Sequence, residues 1–150
     1  MRFENKGVLV TGATGGIGRE TCLQFAAEGA AVAVTDLDSA LAERLANEID
    51  EKGGRAVGYE LDVTNQEQTD AVVNQAATDL GSIDIIFCNA GIREIQPAHQ
   101  LPLDEWKNVI EVNVTGVFVS AQSFAKHCIS ESKPGAVSYT HLTLPTICSV

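Results

Sequence analysis

The chain has 150 residues, of which 45% are hydrophobic and 20% are charged, and its formal net charge at pH 7 is −10. This composition is typical of a soluble globular protein, and the length suffices for one domain with a packed core. The acidic balance opposes binding to nucleic acids and to anionic membranes, because both require a basic surface. No apolar segment approaches the roughly 20 residues that span a bilayer, and the first residues are too polar for a signal peptide. We therefore expect a cytoplasmic protein that binds neither nucleic acid nor membrane.

The four cysteines, at positions 22, 88, 128 and 148, form no CxxC pair and have no zinc-ligand spacing with the histidines. Each lies in or beside an apolar segment. We expect buried thiols in a reducing compartment and no metal site.

Short β-branched segments alternate with longer helical segments along the chain. The pattern predicts strands over residues 7–10, 31–34, 56–61 and 83–88, and helices over 16–27, 39–51, 65–80 and, within 102–129, a long helix that starts near Leu103 or Asp104. Strand–helix alternation gives parallel βαβ units, and nearly continuous hydrophobic strands indicate a sheet covered on both faces. We predict an α/β, Rossmann-type doubly wound parallel sheet in the order 3-2-1-4, truncated after the fourth strand and the start of a fifth.

Between the first strand and the first helix lies a glycine-rich segment, Thr11-Gly12-Ala13-Thr14-Gly15-Gly16-Ile17-Gly18. In a dinucleotide site, Gly12 would allow a tight turn, Gly16 would let the backbone approach the pyrophosphate, and Gly18 would let the helix pack closely. The helix N-terminus would offer N–H groups and a positive dipole end to the phosphates. We expect cofactor contacts from Gly12, Thr14, Gly15, Gly16, Ile17 and Gly18.

Asp36 lies at the carboxyl end of the second predicted strand, two residues beyond its last predicted residue and 18 residues beyond the last glycine of that segment. An acidic residue about 20 residues on hydrogen-bonds the ribose hydroxyls of the adenosine in such sites. Its charge would repel the 2′-phosphate of NADP, so the sequence favours NAD. Arg19 is the exception to this argument, because it follows the glycines directly and could reach a phosphate.

Further motifs follow in a fixed order: Leu61-Asp62-Val63-Thr64, Cys88-Asn89-Ala90-Gly91 and Val112-Asn113-Val114-Thr115-Gly116. Together with the glycine segment they resemble the single-domain branch of the short-chain dehydrogenase/reductase family, over residues 5 to 136. The resemblance implies that Asp62 and Val63 hold the adenine ring. It also implies that Asn89, Ala90 and Gly91 line the adenosine side of the cofactor, and that Asn113 holds a water in the proton relay.

The resemblance also implies an activity, namely hydride transfer between NAD(H) and a small-molecule alcohol or carbonyl substrate in a homo-oligomeric parent protein. The serine, tyrosine and lysine that carry the family's proton transfer are missing, since Tyr139 is followed four residues later by Thr143. We therefore expect this fragment to be inactive. Two alternatives stay open: an extended family member acting as a sugar-nucleotide epimerase or dehydratase, and an NAD(P)-binding protein without turnover. Trp106 is expected in the core or at an interface.

The helix and strand pattern stops after Ala136. The segment Val137 to Thr146 is similar to the translation of an adaptor from transposase-based sequencing libraries, and the remaining residues fit a variable index followed by more adaptor. We therefore predict a cofactor-binding domain over residues 1–136 and a non-native segment over 137–150 that packs poorly.

Overall fold

The computed structural model describes residues 1–140, which form a parallel sheet with helices on both faces. The elements are β1 (Gly7–Thr11), α1 (Gly16–Ala27), β2 (Ala31–Asp36), α2 (Ser39–Glu51), β3 (Arg55–Glu60), α3 (Gln66–Leu80), β4 (Ile85–Cys88), α4 (Leu103–Ile110), a π-helical turn (Glu111–Thr115), α5 (Gly116–Ser130) and β5 (Ala136–Tyr139). The strand order is β3-β2-β1-β4-β5, with every neighbouring pair parallel. The predicted order and fold class are confirmed.

The helix boundaries follow from local capping chemistry. Asp38 precedes α2 and accepts a hydrogen bond from the Leu41 N–H, and Asn65 precedes α3 and accepts one from the Gln68 N–H. Such side chains satisfy N–H groups that the first helical turn leaves unpaired. Gly81 ends α3 with a φ of 90°, a left-handed conformation that glycine adopts without a steric penalty.

The core has two layers because side chains alternate across the sheet. Along β1, Val8 and Val10 belong to one hydrophobic cluster and Leu9 to the other. The first cluster is closed mainly by α1 and α2, and the second mainly by α3 and α5. Both faces of the sheet are therefore covered, as the hydrophobic strands predict.

The fourth strand begins two residues later than predicted. Ile83 is buried, but it precedes the strand, which begins at Ile85. Between them, the carboxylate of Asp84 accepts hydrogen bonds from Lys6 Nζ, the Gly7 N–H and Ser82 Oγ. Burial alone would raise the pKa of Asp84, but these hydrogen bonds and the Lys6 charge hold it below its ordinary value. Asp84 thereby joins the start of β4 to the start of β1.

The long helix predicted after residue 102 is interrupted. It starts at Leu103 as expected, but the π-helical turn separates α4 from α5. Isolated π turns inside α-helices often occur at functional sites.

Regular structure continues for three residues after Ala136, because β5 spans Ala136–Tyr139 and pairs with β4. The domain boundary after Ala136 stays a prediction. Ala136, Val137 and Ser138 are nevertheless exposed. Residues 141–150 lie outside the described residues, so the adaptor origin of 137–150 stays a prediction.

The three cysteines within residues 1–140 are free and buried. Burial raises the pKa of Cys22 and of Cys88 to about 12. In the same part of the chain, no cluster of acidic, histidine and cysteine side chains could hold a metal ion. No helix among these residues combines the length and apolarity needed to cross a membrane.

Candidate functional site

A cleft of about 810 Å³ opens at the carboxyl ends of the parallel strands. In open α/β sheets, ligands bind at this edge, where neighbouring strands connect in opposite directions. The residues that line the cleft are Gly12, Thr14, Gly15, Gly16, Ile17, Asp36, Leu37, Leu61, Asp62, Val63, Asn89, Ala90, Gly91, Ile92, Arg93 and Val112. All the predicted cofactor-contacting residues except Gly18 are among them.

The first glycine of the loop makes a turn that other residues would not tolerate. Gly12 has a φ of 59°, and a Cβ at this position would lie 2.7 Å from the Cα of Ala90. Gly16 differs, because a Cβ there would meet no atom within 4 Å. The space beside Gly16 opens into the cleft and leaves room for a ligand to approach the backbone.

Gly18 packs behind the residues that line the cleft. A Cβ on Gly18 would overlap the Gly12 carbonyl oxygen and lie 2.8 Å from both the Cα of Ala13 and Nδ2 of Asn89. This glycine therefore lets α1 approach the loop and the end of β4. The close approach is the one expected from the sequence, but Gly18 does not line the cleft.

The N-terminus of α1 is open for an anion. Its N-cap, Gly15, provides no side-chain hydrogen bond, and the first turn contains no acidic residue. The N–H groups and the positive end of the helix dipole at this position favour a phosphate group.

Reciprocal hydrogen bonds connect the glycine loop to the loop after β4. The Thr11 hydroxyl accepts hydrogen bonds from the N–H groups of Asn89, at 3.0 Å, and Ala90, at 3.1 Å. In return, Asn89 Nδ2 donates to the carbonyl oxygens of Gly12, at 2.9 Å, and Thr11, at 3.2 Å. The Asn89 side chain thus positions the loop. This role of Thr11 was not predicted from the sequence.

Asp36 lies at the end of β2, on the wall of the cleft. Its Oδ2 accepts two hydrogen bonds from Thr14, one from the N–H at 3.0 Å and one from the hydroxyl at 2.7 Å. Within residues 1–140, Oδ1 of this carboxylate accepts no hydrogen bond. Asp36 therefore presents one free carboxylate oxygen at the cleft.

Arg19, the residue that complicated the choice of cofactor, does not line the cleft. Its Nη2 lies 2.6 and 2.7 Å from the two carboxylate oxygens of Glu48, which also accepts a hydrogen bond from Lys52. Hydrogen bonds from Lys52 and then Arg19 lower the pKa of Glu48. Arg19 is thus paired with an acid on α2.

Asp62 and Val63 form the wall of the cleft after β3. Asp62 Oδ1 accepts hydrogen bonds from the N–H and the hydroxyl of Thr64, at 2.9 and 2.7 Å, which fix its orientation. Val63 is buried, and its side chain lies so close to Gly116 that a Cβ there would be 2.6 Å from Val63 Cγ2. The start of α5 therefore supports this wall.

Asn113, the predicted catalytic residue, lies in the π-helical turn and does not line the cleft. Its Oδ1 accepts a hydrogen bond from the Ile92 N–H at 2.8 Å, and its Nδ2 donates to the Ile92 carbonyl at 2.9 Å. This reciprocal pair holds the loop after β4 in place. The pair uses one of the two N–H donors and one lone pair of the Asn113 amide.

Five lining residues were absent from the predicted set: Leu37, Leu61, Ile92, Arg93 and Val112. Leu61 and Val112 are the first residues of motifs quoted above, and the other three follow Asp36 or Gly91 in the sequence. The rule that strand ends form the site would have pointed to all of them except Val112. Arg93 is the cation among the described lining residues, opposite in charge to Asp36 and Asp62.

The family model for short chain dehydrogenase matches residues 6–139. Among curated proteins, D-threitol dehydrogenase from Mycolicibacterium smegmatis is 33% identical over 91% of this chain and 52% of its own length. Cis-4-hydroxycyclohexanecarboxylate dehydrogenase from Sinomonas cyclohexanicum is 35% identical over 90% of this chain and 54% of its own length.

A crystal structure of a short-chain type dehydrogenase/reductase from Mycobacterium marinum superimposes with a TM-score of 0.87. It is 37% identical, and the match covers 91% of this chain and 56% of that one. The sheet order, the cleft and the glycine loop define a Rossmann-type dinucleotide-binding fold. With the family match across most of its length, the chain belongs to the short-chain dehydrogenase/reductase family, whose members generally bind NAD(P). It spans about half the length of the curated relatives it matches.

Proposed function

We propose that the protein containing this chain is an NAD-dependent dehydrogenase or carbonyl reductase acting on a small-molecule alcohol or carbonyl compound. The observation that carries the proposal is the cleft itself, in which the glycine loop, an uncapped helix N-terminus and Asp36 converge at one sheet edge. These parts match the phosphate and ribose of a dinucleotide.

NAD is the proposed nucleotide because of the charges around the ribose position. The free oxygen of Asp36 can accept a hydrogen bond from a ribose hydroxyl, whereas a 2′-phosphate there would meet a carboxylate. Arg19 does not line the cleft and is paired with Glu48, which supports NAD over NADP.

The other cleft residues take roles along the same ligand. The N–H groups at the start of α1 would hold the pyrophosphate, and Asp62 and Val63 would hold the adenine. Asn113 would act by fixing the loop at Ile92. When bound, the nicotinamide ring would donate or accept the hydride.

The acid–base step requires residues that this chain does not contain. Neither Tyr59 nor Tyr139 is followed four residues later by lysine, so no activated tyrosine is present to protonate a developing alkoxide. Loss of general acid–base catalysis alone costs about 10² to 10⁴ in rate. We therefore propose that residues 1–150 alone have no dehydrogenase activity.

The substrate class follows from the relatives' names at a coarse level only. The (2S)-[(R)-hydroxy(phenyl)methyl]succinyl-CoA dehydrogenase subunit BbsD from Thauera aromatica is 33% identical over 91% of this chain and 55% of its own length. The names of this protein and of the two dehydrogenases described above each specify a hydroxyl-bearing substrate, although the rest of the substrate differs. The shared alcohol supports an alcohol or carbonyl substrate.

We also propose that the parent protein is a homo-oligomer that pairs through α4 and α5. Large apolar side chains three or four residues apart are exposed along this helical segment: Leu103, Trp106, Ile110, Val114 and Phe118. Trp106 is 52% exposed, which excludes a core position for it within the described chain. An exposed apolar face of this kind marks an interface, and a second copy of the protein is the proposed partner.

The test of the cofactor assignment is Asp36→Ala, with affinities for NAD⁺ and NADP⁺ measured by calorimetry. Hydrogen bonds to a charged group contribute about 1.5 to 3 kcal/mol, so NAD⁺ binding should weaken about 10- to 150-fold, with less discrimination against NADP⁺. Asp38→Ala is the matched control, because it removes an equal charge two residues away that caps α2. Tighter binding of NADP⁺ than NAD⁺ by the unchanged protein would refute the assignment.

A further inference from the structure

We propose that Thr14 is a positioning residue that sets the discrimination between NAD and NADP by holding the carboxylate of Asp36. The inference rests on the proposed function, in which Asp36 faces the ribose of the adenosine. Thr14 acts on cofactor preference through its hydrogen bonds to the Asp36 carboxylate.

The geometry that carries it is a pair of hydrogen bonds converging on one atom. The N–H and the hydroxyl of Thr14 both donate to Oδ2 of Asp36, at 3.0 and 2.7 Å, in a partly buried position. Hydrogen bonds to an ionised acceptor are shorter and stronger than neutral ones. Both residues line the cleft, and the second oxygen of the carboxylate stays available there.

Two donors on one oxygen keep the carboxylate from rotating toward solvent. A ribose hydroxyl then meets an acceptor that is already oriented, so binding loses little side-chain freedom. A 2′-phosphate meets a negative charge that cannot move away, and such a repulsive element contributes to specificity as much as an attractive one. Thr14 therefore favours NAD and disfavours NADP through the same contact.

A purely structural role for the same contact has different consequences. The glycine loop is also joined to β2 by the hydrogen bond from the Ala13 N–H to the Thr35 carbonyl, at 2.9 Å. If Thr14 only stabilised this loop, its loss would weaken both nucleotides by the same factor. The ratio of the two affinities separates the two roles.

The experiment compares Thr14→Val, which keeps the branched shape and the N–H but loses the hydroxyl, with Thr14→Ser, which restores the hydroxyl. The matched control is Thr78→Val, because the Thr78 hydroxyl donates to the Asn74 carbonyl on α3 and does not line the cleft. Dissociation constants for NAD⁺ and NADP⁺ are measured by calorimetry on the full chain, with circular dichroism as the check on folding.

We expect the preference for NAD⁺ over NADP⁺ to fall about five- to tenfold in Thr14→Val. This is less than the full effect of one hydrogen bond to a charged group, because the N–H of residue 14 still donates to Asp36. The preference should recover in Thr14→Ser and stay unchanged in Thr78→Val. In an Asp36→Ala background, Thr14→Val should leave the ratio unaltered, because the carboxylate that it positions is gone.

An equal change in both affinities, or no recovery with serine, would overturn the role of Thr14 and leave the proposed function intact. If the unchanged, folded chain binds neither NAD⁺ nor NADP⁺, the proposed function is overturned, and this proposal with it.

Discussion

The glycine loop offers a test in which backbone conformation and close packing can be separated. Gly12 has both a positive φ, of 59°, and a neighbouring backbone 2.7 Å from the position of a Cβ. Gly53, after α2, has a positive φ of 84° and no atom within 4 Å of such a Cβ. Substituting each by alanine imposes a left-handed backbone in both cases and a steric overlap only at Gly12.

The expected magnitudes follow from these two terms. A left-handed conformation costs a residue with a Cβ about 1 to 2 kcal/mol, and the lower entropy of the unfolded alanine chain offsets about 0.4 to 1 kcal/mol of it. Gly53→Ala should therefore lower the free energy of unfolding by about 1 kcal/mol. Overpacking adds about 1 to 3 kcal/mol, so Gly12→Ala should lower it by about 2 to 4 kcal/mol.

Urea denaturation followed by circular dichroism measures both variants against the unchanged chain, with equal slopes as the condition for comparing midpoints. Equal losses of stability in Gly12→Ala and Gly53→Ala would refute the argument that the approach to Ala90 constrains Gly12. If Gly12→Ala loses stability and Gly53→Ala does not, the assumed cost of a left-handed backbone at an alanine is refuted.

Three further outcomes are expected. Asn113→Ala should lower the free energy of unfolding by about 1 to 3 kcal/mol in chemical denaturation, because it leaves the backbone groups of Ile92 unpaired; an unchanged midpoint would contradict this. The pKa of Asp84 is lower in the folded than in the unfolded chain. The ionised carboxylate therefore stabilises the fold above about pH 4, and this stabilisation is lost as the pH falls through the folded pKa. Asp84→Asn should therefore be less stable at pH 7 and show a smaller loss on acidification, and parallel stability–pH curves would exclude this role. In a Cys148→Ser variant at pH 8, the buried thiols should react with a thiol reagent only on unfolding, and fast labelling of the folded chain would contradict the burial.

The elements predicted most accurately are those whose ends carry local signals. Helices α1 and α2 have the predicted bounds, since glycines lie beside α1 and Asp38 caps α2. The strand order followed from the alternation of strands and helices together with the glycine loop. These features depend on residues close in sequence or on general rules of connection.

The features that the sequence did not predict depend on contacts between distant segments. The bond from Thr14 to Asp36 spans 22 residues, and the pairing of Asn113 with Ile92 spans 21. The family resemblance placed Asn113 at the site, but only the fold shows which atoms its amide contacts. The late start of β4 likewise follows from hydrogen bonds between Asp84 and the start of β1.

The π-helical turn between α4 and α5 accommodates one residue more than a regular α-helix holds over the same turn. The Gly116 N–H donates to the carbonyl of Glu111, five residues back instead of four. Because the extra residue is taken up by the wider turn, α4 and α5 keep nearly the orientation of one continuous helix. Deleting a single residue within Glu111–Thr115 would therefore allow regular α-helix throughout, with Trp106 and Phe118 still on the same side of the segment. The deletion would act instead on the pairing of Asn113 with Ile92, because the wide turn is what holds the Asn113 side chain at that loop.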